Sequence, residues 1–348
     1  TTGRSPLITG GTENEAASKP QQPEKVEPHH MHITWLNGMD FDNFTGVGHF
    51  RGGVVATSDR GVDLSRLQAD DIVVEFDPLE KKKDAETGAG AAASAASAPD
   101  VKDSPNDKPA PKPRTVRKLV AKEQVVFESE KWADRIGGKL ATRLRLTGPL
   151  LNFDNVSEQI IITGAGSMQI EDYRDRKKDA DADGAKKTDP KPADASSPVA
   201  FVGKGVTLFI WQKQLTLDAK RNDVRMDEDV RMIQQQENTD KEVFMDCSQL
   251  VADFASTGGL DSWLNGKAGT PELDNLTATG PIKVKRTDIT ITGDQLYYTS
   301  NKSLVLISSE GTRQCELIEG ESVLPAKRFK WYLDSDKRVA EEPGAIRQ

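Results

Sequence analysis

The chain has 348 residues, of which 36% are hydrophobic and 29% charged, and carries a net charge of −8 with a mean hydropathy of −0.59. This acidic balance, with no basic stripe, excludes a phosphate-reading surface, because nucleic-acid affinity comes mainly from clustered Lys and Arg; no run approaches the roughly 20 apolar residues of a membrane helix. The length admits one large or two ordinary domains, and much of it must be solvated.

In chain order, residues 1–30 are rich in Gly, Thr, Glu, Pro and Gln and lack an aromatic, which predicts a disordered tail or linker. The start at Thr1-Thr2-Gly3 suggests a processed chain, with any signal or membrane anchor upstream. From 31 to 345 the sequence reads as one repeat β-domain. Gly53-Val-Val-Ala-Thr is followed by a strand from Leu67 to Phe76, with Leu67, Ile72, Val74 and Phe76 on its apolar face. A looser copy runs from Gln124 through Phe127 and on from Lys139 to Leu146, with Leu144 on the same face. A third begins at Asp229-Val-Arg-Met-Ile and continues from Val243 to Phe254, placing Met245, Leu250 and Phe254 together. The clearest is Gly280-Pro-Ile-Lys-Val followed by Asp288 to Tyr298, where Ile282, Val284, Ile289, Ile291, Leu296 and Tyr298 take every second position. Leu304 and Leu306 continue the apolar face, and Arg328 to Leu333 alternates Phe329, Trp331 and Leu333 with Arg328, Lys330 and Tyr332. Self-similar strands of this kind indicate stacked repeats, none able to bury its face alone.

Two segments break the pattern. Residues 80–114 hold an Ala-Gly-Ser tract and a Lys-Pro run, and residues 174–198 are built of Asp, Ala, Lys and Pro. Both read as disordered hydrophilic insertions within the domain, because the strand pattern resumes beyond each and lengthening a loop costs only about 0.6 kcal/mol per doubling.

Chemistry-bearing motifs are few. No nucleophile elbow, phosphate-cradling glycine loop or His-Glu-x-x-His pattern occurs, and Gly164-Ala-Gly166 lies between strand-like segments, so it reads as a turn or bulge. His29, His30 and His32 lack organised partners, and no metal site or cofactor is expected. Asp70, Asp71, Asp253 and Asp294 recur beside strands, which suits an edge or turn role better than a catalytic pair. Cys247 and Cys315 share parity with apolar neighbours and read as buried thiols, a disulfide being the alternative. The apolar face fits either a sealed core or a trough for an apolar ligand.

The phrase Leu273-Asp-Asn-Leu-Thr-Ala-Thr-Gly-Pro-Ile-Lys-Val, then Ile289-Thr-Ile-Thr-Gly-Asp-Gln-Leu-Tyr-Tyr-Thr299 and Ser303-Leu-Val-Leu-Ile307, resembles the OstA-like domain family of lipopolysaccharide-transport proteins, of the LptA and LptC type. Weaker copies cover 44–76 and 224–254, whereas Trp132 to Ile170 matches poorly. The resemblance implies an all-β, bent, groove-like jellyroll of stacked antiparallel strands. It also implies a non-enzymatic role in carrying lipopolysaccharide or a related envelope lipid, a periplasmic or envelope location, and end-to-end pairing with other OstA-like modules. On this reading the apolar-face residues from Leu67 to Leu306 named above line the lipid groove, Phe329, Trp331 and Leu333 form an assembly edge, and any membrane association lies outside this chain. The alternatives are a structural β-scaffold that assembles through its edges without lipid, and a β-helix enzyme acting on polysaccharide.

Overall fold

The computed structural model describes residues 30–77, 116–173, 205–236, 242–254, 273–302, 304–332 and 337–345. The expected insertions at 80–114 and 174–198, His29 and Leu333 lie outside the described residues. The described residues are nearly all β. The strands are β1 (His30–Thr34), β2 (Gly38–Asp42), β3 (Val47–Arg60), β4 (Asp63–Phe76), β5 (Val116–Trp132), β6 (Leu140–Asp154), β7 (Gln159–Thr163), β8 (Gly166–Asp172) and β9 (Gly205–Trp211). They continue as β10 (Gln214–Asp218), β11 (Asp223–Gln236), β12 (Glu242–Phe254), β13 (Leu273–Arg286), β14 (Ile289–Thr299), β15 (Leu304–Ser308), β16 (Cys315–Glu319), β17 (Ser322–Tyr332) and β18 (Lys337–Pro343).

All belong to one antiparallel sheet, and the pairing shows how it is bent. The long strands β3, β4, β5, β6, β11, β12, β13 and β14 each carry an irregularity near their middle. Their two halves often have different neighbours: β6 pairs with β7 through one half and β8 through the other, β11 with β10 and β9, and β14 with β15 and β16. The sheet therefore divides along a fold line into two walls. One runs β2, β3, β4, β5, β6, β7, β10, β11, β12, β13, β14, β15, β17, β18; the other runs β1, β3, β4, β5, β6, β8, β9, β11, β12, β13, β14, β16, β17. At about 4.8 Å per strand step the stack is roughly 60 Å long.

The fold line is made by residues with left-handed backbone. Gly52 and Gly53 on β3 have φ of 79° and 58°, and Gly280 on β13 has 97°. On β5 and β11 the same work falls to non-glycine pairs, Glu123 and Gln124 (61° and 49°) and Glu228 and Asp229 (70° and 46°). Consecutive residues of this kind insert a bulge and turn the strand sharply. Gly164, at φ 94° between β7 and β8, belongs to the same line, so the Gly164-Ala-Gly166 turn reading fits its place in the fold.

Beyond the fold line the strands alternate buried and part-exposed residues with period two, as in β13, where Leu276, Ala278, Ile282 and Val284 are buried. Buried residues from both walls form a single core cluster. Among the described residues no second layer covers this face, so the walls cover each other, with the fold line as hinge and the far strand ends as two lips. Asp42 and Asp154 each close a hairpin at a lip by accepting backbone N–H bonds, from Phe44 at 2.8 Å and from Val156 at 2.9 Å. Phe76 pairs with Val116 and Asp172 with Gly205, so these strand ends meet their neighbours at a lip.

Candidate functional site

The candidate site is the interior between the walls. Leu67, Ile72, Val74, Leu144, Met245, Leu250, Ile282, Val284, Ile291, Leu296 and Tyr298 are all buried in it, as the alternation implies. Phe76, Phe127, Phe254 and Ile289 are half-buried against the same cluster. Leu304 and Leu306 require a correction: the buried residues of β15 are Val305 and Ile307, which pair with Tyr298 and Leu296, and the two leucines take the other parity. The run Leu304-Val-Leu-Ile is apolar on both faces, so alternation alone does not set its register.

The expected assembly edge is also corrected. Phe329 and Trp331 are core residues of β17, paired with Ile307 and Val305 on one side and covered by β18 on the other. Among the described residues the terminal strand at this end is β18, whose charged sequence Lys337-Arg-Val-Ala-Glu-Glu hides the strand signal.

The centre of the interior is sealed. Ile162, Leu215, Leu217, Met226, Met232 and Leu250 are among the largest fully buried side chains. Methionines recur here: Met168 and Met232 both pair with Phe209, and Met232 also pairs with Met245. Trp211 is fixed at the fold line, where its Nε1 donates to the Gly164 carbonyl at 3.0 Å.

Toward the first strands the interior opens. The interior parity of β3 is Gly48 and Phe50, which pair with Phe41 and Met39 of β2. Met39 and Phe41 therefore continue the interior rows, yet they are 43% and 44% exposed, because no further strand lies over them among the described residues. Trp35 packs against Phe50 with ring centroids 5.3 Å apart and the planes tilted by 59°, Phe41 meets Phe76 edge-on at 6.1 Å, and Leu36 and Phe44 stand exposed nearby. Gly48 lets Phe41 lie flat on the strand, since a Cβ there would meet the Phe50 and Phe41 rings at 3.2 and 3.3 Å. These residues form an apolar mouth with Phe76, Leu119 and Phe153 half-buried just behind it. Sequence reasoning missed the mouth, although the Met39–Phe41 alternation signalled it; the stretch is short and flanked by polar residues.

On the outer face Arg143 Nε donates to Glu130 at 2.9 Å, and the buried Glu171 accepts from Gln169 at 2.8 Å and from the Tyr173 hydroxyl at 3.1 Å. His49 accepts at Nδ1 from Arg51, which also pairs with Asp40 at 2.7 Å. Asp70 and Asp294 lie on the fold line and Asp253 near a lip, so the acids are spread over different places in the sheet. Burial raises the Asp223 carboxyl despite Arg221, with Asp218 and Asp253 adding to the rise; burial and then Asp274 raise Asp253. Cys247 and Cys315 are free and buried, and burial pushes the Cys247 thiol up to about 12. Among the described residues no group of three or more His, Cys, Asp or Glu could hold a metal, and no helix is long and apolar enough to cross a membrane.

The chain matches no family model, no curated protein and no solved structure.

Proposed function

We propose that the protein is a non-enzymatic carrier of an envelope lipid, lipopolysaccharide-like in having acyl chains, in the manner of OstA-like domains. The observation that carries this reading is the continuity of the apolar rows from the sealed centre to the exposed Trp35, Met39 and Phe41. Burying a twelve-carbon chain is worth roughly 10 kcal/mol, so a lipid crossing water gains from an apolar lining, and an open apolar mouth gives it a place to enter. The walls share backbone along the fold line and meet elsewhere through side chains. Entry of a chain therefore displaces side-chain contacts while the hydrogen-bonded ladder stays intact. The central methionines suit that exchange, being unbranched and adaptable. Such a carrier works between membranes, which sets the proposed location in the cell envelope.

The sealed centre favours a second reading, a structural β-scaffold that binds no lipid. A photo-crosslinking residue at Phe41, compared with one at the outward-facing Gln295, separates the two in protein incubated with an envelope-lipid extract. Capture of lipid at 41 and not at 295 is expected; equal capture at both, or none at 41, rejects the carrier in favour of the scaffold.

A further inference from the structure

The two ends of the interior are built differently. At the first end the interior rows finish in Met39 and Phe41, and at the last end the corresponding rung is β18, which sets Arg338 opposite Trp331 and Ala340 opposite Phe329. Arg338 lays its guanidinium over the Trp331 ring, 5.5 Å from the centroid, and its Nη1 lies 3.9 Å from Glu319 Oε2. Arg338 stands near the lip of one wall and Glu319 at the lip of the other, so the contact spans the opening. Trp331 and Phe329 behind it are only 2% exposed. Outside, Glu341 of β18 is held by Lys330 and by Arg328 at 3.3 Å, which fixes the strand that presents the guanidinium.

We propose that Arg338, Trp331 and Glu319 form a clasp that shuts this end, so that the interior is a pocket filled and emptied only through the mouth at Trp35, Met39 and Phe41. A guanidinium is a poor surface for methylenes, because an acyl chain passing it would have to strip water and its carboxylate partner from a fixed charge. A stacked, ion-paired Arg therefore ends an apolar path where Met or Phe would extend it. The ligand in this inference rests on the carrier reading, whereas the clasp rests on the geometry alone.

Two measurements keep those apart. Ala340→Cys puts a thiol beside the clasp, on the half-buried interior row of β18 opposite Phe329, against a slow background from the buried Cys247 and Cys315. Its labelling by a polar maleimide is expected to rise at least tenfold when Arg338→Ala is added. A smaller rise is expected with Glu319→Gln, which leaves the stack in place and guards against misfolding of the first variant. Unchanged labelling in both overturns the clasp. For exchange, cis-parinaric acid serves as the probe, and Met39→Cys carrying a bulky maleimide blocks the mouth. Blocking is expected to abolish uptake and Arg338→Ala to restore it. Undiminished uptake in the blocked protein with Arg338 intact overturns one-ended exchange. If unblocked protein takes up no probe, the carrier reading fails and the thiol experiment still decides the clasp.

Discussion

Replacing Leu296 with Asp tests whether the centre is dry. Leu296 is 1% exposed and pairs with Ala278 and Ile307, both buried and apolar, so a carboxyl there meets no donor on either neighbouring strand. Removing a buried leucine costs about 2–5 kcal/mol, and an unpartnered polar group adds about 1–3 kcal/mol, so the loss at neutral pH is on the order of 5 kcal/mol, comparable with the whole stability of many domains. The deficit depends on pH. Burial raises the carboxyl above the ordinary value of about 3.9 in the folded state, so its full contribution is present below that pH and is lost as pH rises through the raised folded value, at about 1.4 kcal/mol per unit. Urea unfolding followed by circular dichroism at pH 4.5 and pH 8, beside Leu296→Asn, reads both quantities. The Asp variant is expected to fall further below Asn at pH 8 than at pH 4.5. Equal stability of the two at both values refutes the reasoning, because it means that water reaches Leu296.

The fold line gives a stabilising change: Asp229→Gly relieves a left-handed residue at φ 46° and is expected to raise stability by about 1 kcal/mol by urea midpoint, whereas no gain means the position is unstrained. The raised Asp223 and Asp253 carboxyls bind protons more tightly folded than unfolded, so their contribution is present at acid pH and lost on moving to neutral. Asp253→Asn is therefore expected to be more stable than the parent at pH 7 and to lose that margin toward pH 3; a constant margin contradicts it. The Cys247 thiol, pushed up to about 12, is expected to resist a thiol reagent at pH 8 until urea unfolds the chain, and rapid native labelling contradicts its burial.

The strands were legible because one of their faces is buried, which stamps period two on Ile282 to Tyr298 and on Leu67 to Phe76. Where both parities are apolar, as in Leu304-Val-Leu-Ile, the stamp is absent and pairing with β14, not alternation, selects Val305 and Ile307 for burial. Strand ends were harder, because β18 is charged and β2 is largely exposed, so neither shows a buried row and Trp331 looked terminal. The fold line uses glycine at Gly52, Gly53 and Gly280, but inside long strands rather than at the strand starts where the sequence reading sets Gly53 and Gly280. It was hidden at Glu123, Gln124, Glu228 and Asp229, where packing of the neighbouring strands holds residues in a conformation that local preference disfavours. The candidate site was half legible: its lining follows from alternation, whereas its mouth depends on which strand lacks a neighbour, a property of the assembled sheet.

Native mass spectrometry of the full chain after incubation with an envelope-lipid extract tests the carrier most directly. Adducts of acyl-lipid mass that survive transfer, and that Phe41→Asp removes while preserving the fold, are the expected result. Bare protein alone, from a sample in which a known lipid carrier treated in parallel keeps its ligand, contradicts it.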